Sequence, residues 1–131
     1  MEREILFRGK LSHSGVWVEG NLIKDRNGNK YIIPFNVFEP DGHHLIIDSD
    51  EAWRVDPETV GQFTGMTDKK GKKLFEGYVY SMGEKNILYV VIFDKSQFIG
   101  KQVGNRSLAG LEYWKSDIEI IGNIHDNPEL I

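Results

Sequence analysis

The chain has 131 residues, 40% of them hydrophobic and 27% charged, with a formal net charge of −4 and no cysteine. This size and composition are typical of one globular domain, and the absence of cysteine excludes disulfides and thiolate metal sites. No apolar run approaches the roughly 18 residues of a membrane span and the charged start Met1–Glu4 is unlike a signal peptide, so we expect a soluble, intracellular protein.

Short strands separated by turn signals dominate the first half of the chain. Runs rich in Val, Ile, Tyr, Phe and Trp alternate with turn residues, and no long segment has apolar residues at helical spacing. The predicted strands are 4–8, 15–23, 30–35, 43–47 and 61–64. The second and third form a hairpin across Asp25–Gly28, in which Gly28 supplies a positive φ.

A helical turn is predicted at Asp56-Pro57-Glu58-Thr59, where the Asp56 carboxylate is the N-cap and Pro57 takes the first helical position. In the second half, the strands 77–81, 86–93, 97–101 and 118–124 form a β-meander. The segment 86–93 is almost wholly apolar, which predicts a central strand covered on both faces. A second short turn is predicted at 127–130.

The chain carries no internal repeat and no low-complexity stretch. These patterns predict one mostly β domain over 1–131. The acidic stretch Asp48–Glu51 is the weak candidate for a boundary between an N-terminal part, 1–50, and a barrel-like C-terminal part, 51–131.

Known catalytic and metal-binding patterns are missing. His43 and His44 are neighbours, and adjacent side chains in a strand point to opposite faces, so we predict no metal site there. His125 beside Asp126 could act as a general base, but Asn, Asp and Pro together are typical of a tight turn. The chain has neither a phosphate-binding loop nor a serine nucleophile elbow, and we predict no cofactor.

The basic run Asp68–Lys73 is the candidate interaction surface, through Lys69, Lys70, Lys72 and Lys73. These lysines could contact phosphates. We favour an exposed hairpin tip bent at Gly71 with the lysines in water, because no interleaved aromatic platform accompanies them. The three tryptophans, Trp17, Trp53 and Trp114, could line a binding site, although they more often fill a core.

Five strings of residues carry a resemblance to a known family. They are Arg3–Gly9, Gly15–Gly20, Val55–Gly65, Asp68–Gly77 and Ile121–Leu130. In this order they closely resemble the YopX family of phage and prophage proteins. The motif residues that we expect to be structural turn residues are Asp56, Pro57, Gly65, Glu76, Gly77, Gly122, Asn123, His125, Asn127 and Pro128.

The resemblance implies a predominantly β fold with a C-terminal SH3-like barrel. It also implies a phage or prophage origin, mostly in Gram-positive hosts, and hence the cytoplasm of a bacterial cell. It implies no activity. Where the family's Glu-Gly motif usually continues with aspartate, this chain has Tyr78. Either relatives use that aspartate in chemistry that this chain lacks, or it only satisfies a turn and the phenol replaces it or faces solvent.

Three functions are compatible with these features. The first is a non-enzymatic phage accessory protein that binds a host or phage protein through loops and sheet edges. The second is a nucleic-acid-associated protein that uses Lys69–Lys73, and the third is an enzyme of unknown type. We rank them in this order because catalytic signatures are missing and a net charge of −4 disfavours a polyanion. We also expect a homo-oligomer, because self-pairing covers strand edges.

Overall fold

The computed structural model describes residues 3–35 and 50–131. The predicted predominantly β fold is confirmed, with antiparallel sheets and only short helical turns. The chain divides into two compact units, Met1–Gln62 and Phe63–Ile131. In the described residues, no helix has the length and apolar character to cross a membrane. The single domain and the SH3-like barrel stay predictions.

The first unit is an antiparallel sheet in the order β4-β3-β2-β1-β5. Its strands are β1 (Phe7–Lys10), β2 (Trp17–Lys24), β3 (Lys30–Ile33), β4 (Arg54–Val55) and β5 (Gly61–Thr67), of which β5 continues into the second unit. Val55 also bridges Leu11, which follows β1. Leu11, Ile32 and Val55 form the buried core of this unit, and Trp53 packs against it.

The hairpin between β2 and β3 is confirmed, with Lys24 opposite Lys30. One carboxylate oxygen of Asp25 accepts hydrogen bonds from the backbone N–H groups of Asn27 and Asn29, both at 2.9 Å. Gly28 has a φ of 88°, in the left-handed region that favours glycine. This turn is therefore determined locally by its own residues.

The predicted helical turn after β4 is a 3₁₀ turn over Pro57–Thr59, but the predicted cap is wrong. Asp56 makes no side-chain capping bond, because the Thr59 N–H already donates to the backbone oxygen of Asp56 at 3.0 Å. The Thr59 hydroxyl accepts from the Lys10 N–H at 2.9 Å and donates to the Asp56 oxygen at 2.6 Å. The side chain that fixes this turn is thus Thr59.

The second unit contains a five-stranded sheet in the order β10-β9-β8-β7-β11, while β6 pairs with the second part of β5. Its elements are β6 (Lys73–Phe75), β7 (Tyr78–Ser81), β8 (Tyr89–Asp94), β9 (Gln97–Gln102), β10 (Leu108–Gly110), α1 (Leu111–Trp114) and β11 (Glu119–Asn123). The buried core of this unit consists of Leu74, Tyr80, Val91, Leu111 and Ile118. Strands β7, β8 and β9 form the predicted meander, but the fourth predicted strand, β11, is wrongly placed in it, because it pairs with β7 and not with β9.

Strand β8 is central in its sheet, as predicted, but it is not covered on both faces. Val91 is 1% exposed, whereas Phe93 is 55% exposed at the end of the strand. Val90 and Ile92, which alternate with Val91, are half-buried and line an open groove. The apolar run therefore reflects one core face and one partly exposed face.

The other predicted strands agree with the structure to within a few residues at each end. The predicted strand 43–47 lies outside the described residues, as do His43 and His44 and most of the acidic stretch Asp48–Glu51. The sequence patterns did not predict β4, β6 and β10, which are two or three residues long, or the single turn α1.

Candidate functional site

The basic turn that follows β5 is built around one buried carboxylate. Asp68 is 4% exposed. Its Oδ1 accepts from the N–H groups of Lys70 and Lys72, both at 2.9 Å, and its Oδ2 accepts from the Ile120 N–H at 3.0 Å. Burial raises the pKa of Asp68, but these donors outweigh it and hold the pKa below the ordinary 3.8. Gly71 lies at the bend with a φ of 84°.

The sequence predicted that the lysines of this turn are surrounded by water, but this is not true of all of them. Lys69 and Lys70 contact the carboxylate of Glu119 on β11, at 3.2 and 3.1 Å. Hydrogen bonds and charge from Lys70 and Lys69 lower the pKa of Glu119. The Lys73 Nζ lies 5.5 Å from the centre of the Phe63 ring. Two of the four candidate cations are therefore already engaged by one carboxylate.

A polar cleft of about 580 Å³ lies beside this turn in the second unit. It is lined by Gly65, Met66, Thr67, Asp68, Lys69, Glu112, Lys115 and Ser116. Lys115 and Glu112 form an ion pair at 3.0 Å. Because its charges are of both signs and are paired, the cleft does not concentrate positive charge for an anion.

The turn residues of the Glu-Gly motif connect elements of the second unit. Gly77 has a φ of 90°, donates its N–H to the Val91 oxygen at 2.8 Å and accepts from the Ile124 N–H at 3.0 Å. Gly65 also has a positive φ, of 91°. The Tyr78 ring packs against the core, with its centre 5.6 Å from that of Phe75.

The C-terminal motif forms a turn held by asparagine side chains. The Asn123 Oδ1 accepts from the N–H groups of His125 and Asp126, both at 2.9 Å, and the Asn127 Oδ1 accepts from the Asn123 N–H at 3.1 Å. A Cβ on Gly122 would lie 2.5 Å from the Asn127 Oδ1, so glycine is needed there. Pro128 opens the 3₁₀ turn Pro128–Leu130.

The three tryptophans lie in different local surroundings. The guanidinium carbon of Arg8 lies 3.9 Å above the Trp17 ring, while Trp53 packs against the core of the first unit. In the second unit Trp114 is 39% exposed beside Tyr113, which is 82% exposed. Across residues 3–35 and 50–131, no group of three or more His, Asp or Glu is placed to hold a metal ion.

An open groove of about 410 Å³ with a mainly apolar lining lies in the second unit, on the face of β8 opposite the core. It is lined by Val90, Ile92, Lys101, Gln102, Val103, Gly104, Asn105, Ile124 and Ile131. We call it the apolar groove. Sequence patterns do not indicate the apolar groove, because four separate segments contribute to it. The second apolar face of β8 is the one signal in the sequence that could have indicated it.

Known structures and families resemble this chain over nearly its whole length. The crystal structure of protein EF1440 from Enterococcus faecalis matches with a TM-score of 0.61 and 19% sequence identity, covering 98% of this chain and 99% of that chain. This similarity shows a shared fold. No curated protein matches the chain. The family model for YopX protein matches residues 6–131, and the chain therefore belongs to the YopX family.

Proposed function

We propose that the chain is a non-enzymatic phage or prophage accessory protein that binds a protein partner in the bacterial cytoplasm. The observation that carries this proposal is the apolar groove. It exposes branched aliphatic side chains from β8, from the loop after β9 and from the C-terminal turn. Contiguous exposed apolar surface is typical of protein interaction sites, because burying it against a partner is favourable.

The polar features of the second unit support binding less well. In the basic turn, Lys69 and Lys70 share the carboxylate of Glu119 and the polar cleft contains paired charges. The Glu119 carboxylate offsets part of the positive charge that these two lysines would present to a phosphate. We therefore rank a protein partner above nucleic acid, and an enzymatic role last.

The experiment uses the purified protein as bait in a lysate of the bacterial host carrying the phage. Ile131 lies at the rim of the apolar groove and is 58% exposed, so Ile131→Ser changes the groove at little cost to the fold. Ile121→Ser is the matched control, because Ile121 is 41% exposed on β11 and does not line the groove.

We expect a protein from the lysate to be captured by wild type and by Ile121→Ser but not by Ile131→Ser. The retained protein is then purified and titrated against all three chains, which must reproduce the same order of affinity. Equal binding by the three chains would contradict the role of the groove, and a catalytic change in a retained protein or metabolite would contradict a purely binding function.

A further inference from the structure

The two edges of the five-stranded sheet differ in how their backbone groups are satisfied. At the β11 edge, the Ile120 N–H donates to the Asp68 carboxylate at 3.0 Å and the Ile118 oxygen accepts from the Lys69 N–H at 2.9 Å. β11 also carries a bulge between Ile120 and Gly122. Both features protect an edge from pairing with another chain.

At the β10 edge, no hydrogen bond of this kind is found among the described residues, and Gly110 lines an open pocket of about 420 Å³ together with Thr64 and Met66 of β5. The Gln102 N–H donates to the Ser107 oxygen at 2.9 Å, and the register places Ala109 opposite Gly100. Hydrogen-bonded pairs alternate in an antiparallel ladder, so Ala109 points its backbone groups toward β9. Leu108 and Gly110 therefore direct their backbone N–H and C=O groups away from the sheet.

Three outward backbone groups at this edge are available to a partner. They are the N–H and C=O of Leu108 and the N–H of Gly110, since the Gly110 oxygen, at the N-cap of α1, accepts the first bond of that helix. Only an extended backbone can satisfy donors and acceptors that alternate in this way. The edge thus specifies the conformation of its partner.

The surroundings of β10 specify the side chains of that partner. Leu108 is 50% exposed, and a Cβ on Gly110 would have no atom within 4 Å, which leaves space for a large neighbour. Lys101, opposite Leu108, and Arg106 are exposed and have no ion-pair partner in the part of the chain that the structure describes. Lys101 also lines the apolar groove, so that groove and edge are continuous.

We propose that the β10 edge binds an extended segment of a protein partner as an added strand. The segment carries an apolar side chain opposite Gly110 and an acidic side chain near Arg106. This inference rests on the proposed function and names the class of partner, because it identifies a peptide strand with an apolar and an acidic side chain about four positions apart on one face.

A proline at position 110 tests the edge directly. Gly110 has a φ of −68°, which proline adopts without strain, and its N–H points away from β9. Gly110→Pro therefore removes one outward donor and leaves the ladder with β9 intact. Gly110→Ala is the matched control, because it keeps the N–H. Circular dichroism and thermal unfolding establish that both variants are folded.

The probe is a phage-displayed library of random decapeptides, selected on the wild-type protein. Enriched peptides should carry a β-branched or aromatic residue and an acidic residue about four positions apart, on one face of the strand. They should bind Gly110→Ala like wild type and Gly110→Pro about tenfold more weakly, as expected for one lost hydrogen bond. Bound peptide should also protect the Leu108 and Gly110 amides from hydrogen exchange.

Each other outcome overturns the inference. Peptides that bind all three chains equally would place recognition elsewhere, and a library without enrichment would show that the edge does not accept strands. Enriched peptides without acidic residues, or unaffected by Arg106→Glu, would remove the predicted charge preference. The groove experiment with Ile131→Ser decides the proposed function separately, since a partner can depend on the groove and be indifferent to Gly110→Pro.

Discussion

Removal of the Tyr80 hydroxyl should stabilise the protein. Tyr80 is fully buried on β7, its ring stacks on Tyr89 with the centres 5.4 Å apart, and its hydroxyl has no hydrogen-bond partner among the residues that the structure describes. A buried hydroxyl without a partner costs about 1–3 kcal/mol. A Cβ on Gly100 would overlap the Tyr80 Oη, so the oxygen is tightly packed and its loss leaves a small void. We expect Tyr80→Phe to gain about 1 kcal/mol after this offset.

Urea unfolding of wild type, Tyr80→Phe and the control Tyr89→Phe measures this gain. The phenol of Tyr80 also predicts a pH dependence, because burial, with a smaller contribution from Tyr89, raises its pKa above the ordinary 10.0. The unfolded chain therefore ionises first, and wild type should lose stability relative to Tyr80→Phe as the pH rises above about 10. A destabilised Tyr80→Phe, or a gain that Tyr89→Phe reproduces, would refute the reasoning.

Five further variants test the core, the turn after β4 and the basic turn. Val91→Asp should unfold the domain because it buries an unpaired carboxylate, while Val90→Asp, at the groove, should leave a folded protein; circular dichroism checks both. Thr59→Val should lower the free energy of unfolding in urea by about 1–2 kcal/mol, because a β1 N–H loses its acceptor. Asp56→Ala should lower it by less, and the reverse order would support the predicted aspartate cap. We expect no binding to single-stranded DNA, double-stranded DNA or RNA at physiological salt, so replacing the four lysines of 69–73 with glutamine should not change the fluorescence anisotropy. Micromolar affinity that this variant loses would make nucleic-acid binding the first-ranked function.

Features that depend on neighbours in sequence could be predicted. The β2–β3 hairpin follows from Asp25, Asn27, Gly28 and Asn29, because the Asp25 carboxylate accepts from the N–H groups of Asn27 and Asn29 within the turn. The order β7-β8-β9 follows from apolar runs between turn signals, whereas the pairing of β11 with β7 does not. The same local reasoning failed at Asp56, because the decisive bond joins the Thr59 hydroxyl to the Lys10 N–H, 49 residues away.

The candidate surfaces could not be predicted because distant segments build them. Nothing near Asp68 in the sequence indicates that its carboxylate meets the Ile120 N–H, 52 residues along the chain. Likewise, the free edge of β10 arises from three residues without strong β-propensity, Leu108, Ala109 and Gly110. Their role depends on the register with β9, which short sequence patterns do not specify.

Asp68→Asn tests whether the basic turn serves the fold. The amide can present only one oxygen, whereas the carboxylate accepts two N–H groups on Oδ1 and the Ile120 N–H on Oδ2. In either orientation the amide NH₂ therefore faces a backbone donor, and we expect a loss of roughly 2–3 kcal/mol in urea unfolding at neutral pH.

The pH dependence of this loss identifies its cause. The pKa of Asp68 lies below 3.8 in the folded protein, so the carboxylate stabilises the fold above about pH 4 and that stabilisation disappears as the pH falls through the folded pKa. Asparagine does not titrate, and the difference between wild type and Asp68→Asn should shrink between about pH 5 and 2. Glu119→Gln, which affects only the lysine pairs at the surface, should cost far less. A difference that stays constant with pH would show that the ionised carboxylate is not what holds the turn against β11.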